Sequence, residues 1–157
     1  MSTGLQQINF KPMAPLLREA QVRLASNKSP TLVSLTQEFP INASPLEFFS
    51  AAESLGWKRI VWSQPSIKCT SVGAGAALTI TGSGPNRFIQ IRKQHKETIE
   101  NAIIDTPNHL RFGPTCFGGF RFDTEGIKSS DWHNYPDGLF ILPRFTFQAL
   151  PEGCWIT

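Results

Sequence analysis

From Met13 the apolar residues Leu16, Leu17, Ala20 and Leu24 recur at helical spacing, with Arg18, Glu19 and Arg23 on the other side. That pattern predicts an amphipathic helix. Residues 1–12 show no period and read as a loose start. Pro15 fits the first turn, where its missing N–H costs no bond. Ser26-Asn27-Lys28-Ser29-Pro30 is turn chemistry and ends the helix. Thr31 to Thr36 is rich in β-branched residues and reads as a strand, closed by Phe39-Pro40. Ser44-Pro45-Leu46-Glu47 is a capping box with proline at the first helical position. Phe48, Phe49, Ala52 and Leu55 give this second helix its buried face, and Gly56 stops it. Trp57 to Ser63 then alternates, with Ile60 and Trp62 on one face of a strand and Arg59 and Val61 on the other. Pro65-Ser66 turns the chain into a return strand over Ile67 to Ser71.

Beyond it, Val72 to Ala77 and Leu78 to Thr81 are strand-like, and Gly82-Ser83-Gly84-Pro85 is a turn leading into a helix. Asn86 to Ile104 reads as the longest helix, with Phe88, Ile91, Ile99, Ala102 and Ile103 on its apolar face. Phe112 to Asp123 is dense in Phe and Gly and almost free of charge, and the alternation of Phe120 and Phe122 with Gly119 and Arg121 predicts a strand with one buried face. Paired glycines within a strand mark a bulge, a bend, or close approach of another backbone or a ligand. The stretch therefore reads as core strand first and as the floor of a substrate pocket second. A loop from Thr124 to Gly138 follows, then an apolar strand over Leu139 to Phe147, interrupted by Pro143-Arg144. The proline places that strand at an edge or a bulge. Cys154 to Thr157 begins another strand-like stretch.

Three helices and roughly seven short strands, often strand after strand, predict an α+β fold with a mixed, largely antiparallel sheet. Residues 1–157 read as a single unit. Forty percent hydrophobic content and 12 Phe supply a core. A net charge of +3 is too small to argue for nucleic acid or an anionic membrane. No apolar run reaches the roughly 18 residues of a membrane span, and residues 1–10 lack the basic start and apolar core of a signal peptide. Cys69, Cys116 and Cys154 fit neither a disulfide framework nor a paired metal motif, which predicts buried free thiols in a cytoplasmic protein.

Chemistry-bearing residues are few. Val72-Gly73-Ala74-Gly75-Ala76-Ala77 invites a nucleotide reading, but Leu78 stands where a third glycine belongs and a strand, not a helix, follows. Arg87, Arg92, Lys93 and Lys96 make the third helix basic, which reads as a solvated face rather than an anion-steering patch. His95 reads as a partly buried, satisfied histidine. Asp131, Trp132, His133 and Asp137 fill the loop before Leu139, and adjacent loop residues rarely face one another as acid and base.

Phe117 to Asp123, then Trp132 and Pro136, then Leu139-Phe-Ile-Leu-Pro-Arg-Phe-Thr-Phe147, resemble in order and spacing the N-terminal half of isochorismate synthases. These are chorismate-utilising enzymes related to anthranilate and salicylate synthases. Ser44 to Phe49, Trp57 to Trp62 and Val72 to Ala77 fit the same pattern, so the resemblance runs from about Leu32 to Phe147. It implies the first half of a large sandwich of two sheets. The activity it implies is isomerisation of chorismate to isochorismate, in menaquinone or siderophore biosynthesis. It also implies Mg²⁺ in the full-length enzyme, a lysine base, and glutamates as acid and metal ligands. In the family these lie after the Leu-Pro-Arg strand. No lysine follows Lys128, and Asp131, Asp137 and Glu152 are the later carboxylates. No catalytic, cofactor-binding or metal-ligating residue is therefore assigned. The implied partner is the C-terminal catalytic portion, without which the chain is expected to be inactive. Salicylate or anthranilate synthase, or a stand-alone non-catalytic binding or assembly module, are the alternatives.

Overall fold

The computed structural model describes residues 9–26, 32–39, 44–110, 113–123, 126 and 132–157. Within them the chain runs α1 (Met13–Ala25), β1 (Val33–Leu35), β2 (Gln37–Phe39), α2 (Pro45–Ser54), β3 (Arg59–Gln64), β4 (Cys69–Ala74), β5 (Leu78–Gly82), α3 (Arg87–Glu100), β6 (Ile103–Asp105), β7 (Phe117–Phe120), β8 (Gly138–Leu142), β9 (Phe145–Leu150) and β10 (Gly153–Ile156). Three sheets result. One has five antiparallel strands in the order β2-β10-β9-β4-β3, and one has three in the order β5-β8-β7. The third is the parallel pair β1-β6. The expected α+β fold with mixed, largely antiparallel pairing is what forms.

The second helix forms as its sequence dictates. The Leu46 N–H donates to Ser44 Oγ at 3.2 Å, and the Ser44 N–H donates to the Glu47 carboxylate at 3.2 Å. These bonds satisfy donors that a helix start leaves without partners. Phe48 and Ala52 are buried on the five-stranded sheet against Val72, Ala74 and Phe147. The Phe147 side chain is fully enclosed. It stacks on Phe48 at 5.5 Å between centroids and meets Phe39 edge-on at 5.6 Å. This cluster is the larger core. On the other sheet, α3 lies over β5 and β8, with Ile80 and Ile91 buried between.

Several expectations change. The longest helix ends at Glu100 rather than Ile104, and Ile103 pairs with Val33 in β6. Ile103 and Ile104 are β-branched, and a strand partner outweighs their weak helical preference. The strand expected over Thr31 to Thr36 is β1, Val33–Leu35, with β2 directly after it; Thr31 lies outside the described residues. The stretch from Leu139 to Phe147 is two strands in two sheets. Pro143-Arg144 is the crossover, with β8 on one side and β9 on the other. Its apolar character on both faces reflects that double membership rather than one central strand. Phe120 and Phe122 do not share a buried face. Phe120 is 38% exposed and Phe122 101% exposed, because β7 ends at Phe120 and Phe122 stands in the loop beyond. Arg87 is buried rather than solvated, and His95 is exposed.

Candidate functional site

The paired glycines of β7 face opposite ways. Gly118 pairs with Phe140 and Gly119 with Leu139. Alternation puts Gly118, Phe120 and Phe140 on the side covered by α3, and Phe117, Gly119, Leu139 and Ile141 on the other. A Cβ placed on Gly118 would stand 2.6 Å from the Phe140 Cα and 2.7 Å from its ring, closer than real atoms approach. A Cβ on Gly119 would meet nothing within 4 Å. Gly118 is therefore required by packing, whereas Gly119 opens onto free space.

That space is a hollow of about 690 Å³. Its floor is Phe117, Gly119, Leu139 and Ile141, its far wall is Ile60 from β3, and Trp132, Tyr135 and Pro136 stand along the loop side. A second hollow of about 490 Å³ adjoins it and shares Ile60, Phe117 and Ile141. The two sheets approach each other here, because Gly73 leaves room for Pro143, Ile60 and Phe117. The pocket that glycines in an aromatic strand suggest is thus present beside β7. Size and apolar lining match those of ligand-binding clefts.

Arg121 is the charged residue among those lining the larger hollow. Its backbone N–H donates to the Asp137 carbonyl at 2.6 Å, and its guanidinium lies 3.7 Å from the Asp137 carboxylate and bonds the Gly126 carbonyl. Asp137 also accepts the Gly84 N–H at 2.7 Å. Arg87, buried at 8% exposure, donates to the carbonyls of Gly84 and Arg121 and lies 4.3 Å over the Phe88 ring. These bonds tie the start of α3, the end of β7 and the start of β8 together, so Arg87, Arg121 and Asp137 hold the rim in place. Sequence reasoning missed Arg87 and Arg121. The available signal for Arg87 was its position just after Gly82-Ser83-Gly84-Pro85, where Gly82 lets the helix start sit 2.6 Å from a would-be Cβ.

The residues weighed for catalysis do not converge on the hollow. His133 is exposed, with Nδ1 3.3 Å from the Asn134 side-chain oxygen. His95 borders a separate hollow with Ile99 and Ile104. Asp131 lies outside the described residues. Asp137 serves the rim. Elsewhere, the Arg59 guanidinium bonds Glu53 at 2.8 Å and lies 4.2 Å over Phe49. The hydrogen bond and charge of Arg59 hold the Glu53 carboxyl below its ordinary range. Cys69, Cys116 and Cys154 are all free, and burial pushes the Cys116 and Cys154 thiols up, away from reactive thiolate. A magnesium ion needs several oxygen ligands. Among the described residues no group of three or more His, Cys, Asp or Glu is placed to hold a metal ion. No helix of the described residues is long and apolar enough to cross a membrane.

Comparison with known proteins gives the context of this geometry. The chain is 27% identical to the isochorismate synthase MenF of Bacillus subtilis, over 80% of this chain and 28% of that protein. It is 30% identical to the salicylate biosynthesis isochorismate synthase of Pseudomonas aeruginosa, over 79% of this chain and 24% of that protein. The chain thus spans about a quarter of the length of the curated relatives it matches. No solved structure matches it. The pattern of the family described as chorismate binding enzyme matches residues 17–157, which include every strand and most of every helix above. With so much of its length matched, the chain belongs to the chorismate binding enzyme family.

Proposed function

We propose that this chain is the N-terminal segment of an isochorismate synthase, which converts chorismate to isochorismate, and that it is inactive alone. The observation that carries the reading is the pair of relatives. Both are named isochorismate synthases, and the chain matches 28% and 24% of their lengths. Moving a hydroxyl around the chorismate ring requires a base to activate water, an acid for the departing hydroxyl and a cation for the carboxylate. The hollow beside β7 offers an apolar floor and one arginine already engaged by Asp137. Among the described residues that lining can hold or pack an apolar group, but it carries no carboxylate, histidine or lysine to serve as acid or base. The acid–base residues and the magnesium ligands belong to the remainder of the enzyme, which is the partner of this segment. Three free thiols support a cytoplasmic setting.

A stand-alone binding module is the second reading, supported by the enclosed core around Phe147. Inactivity of the isolated chain, which both readings entail, is tested by incubating the purified chain with chorismate and Mg²⁺ and following isochorismate by chromatography. The chain alone is expected to give no product above a no-protein control. Turnover would overturn the assignment of chemistry to the remainder and shift it to His95, Asp131 or His133.

A further inference from the structure

We draw no further inference here: the strongest candidate, the exposed apolar patch that Phe88 and Ile89 at the start of α3 form with Phe120 at the end of β7, carries nothing because nothing in the structure shows what covers it.

Discussion

Two neighbouring glycines carry opposite meanings. Gly118 sits where β7 lies against Phe140, and Gly119 faces the hollow. The sequence shows both as glycine within an aromatic strand, and nothing in the local pattern says which one is crowded. That depends on the partner strand β8, whose Leu139 carbonyl and Phe140 stand against Gly118, and so on pairing with a strand further along the chain. The natural expectation from sequence, that a bulky residue at Gly119 overpacks the core, is wrong for this position and right for Gly118. Gly118→Val is expected to destabilise the fold by about 1–3 kcal/mol, the usual range for overpacking. Gly119→Val should stay within about 0.5 kcal/mol, as for a surface change. Denaturant midpoints of the two variants, compared at equal slope, check both values. Equal effects would place the two glycines in the same environment and contradict the alternation of β7.

Local chemistry made some elements readable and left others hidden. The start of α2 is set by Ser44, Pro45 and Glu47 within one turn, so it stands where the sequence puts it. The end of α3 is set by a strand partner, Val33, seventy positions away from Ile103, and no local signal marks it. Pro143 announced a break, but the change of sheet at that break depends on tertiary pairing of β8 with β5 and of β9 with β4. The site follows the same division. The β7 glycines pointed to a pocket, whereas Arg87 and Ile60 join it through contacts between elements. Phe147 is the element-level anchor, since it holds α2, β2 and β4 on one sheet face. Phe147→Ala is expected to cost about 3–5 kcal/mol, through lost burial and the cavity left behind. Urea unfolding measures it, and a loss below about 1 kcal/mol, typical of a surface position, would mean that this cluster is not the core.

At the scale of the molecule, the chain has one face of each large sheet covered by a helix. The five-stranded sheet carries α2, and the three-stranded sheet carries α3. The opposite face of the three-stranded sheet and the outer edge of β3 form the open apolar surface. This division explains how a chain with a well-formed core can belong to an enzyme family and yet, among its described residues, line its hollow with no carboxylate, histidine or lysine. The most direct measurement is a chimera in which this chain replaces the matched segment of the Bacillus subtilis isochorismate synthase. If the chain is the N-terminal segment of such an enzyme, the purified chimera converts chorismate to isochorismate in the presence of Mg²⁺. A chimera that folds cooperatively and turns over no chorismate would contradict that assignment.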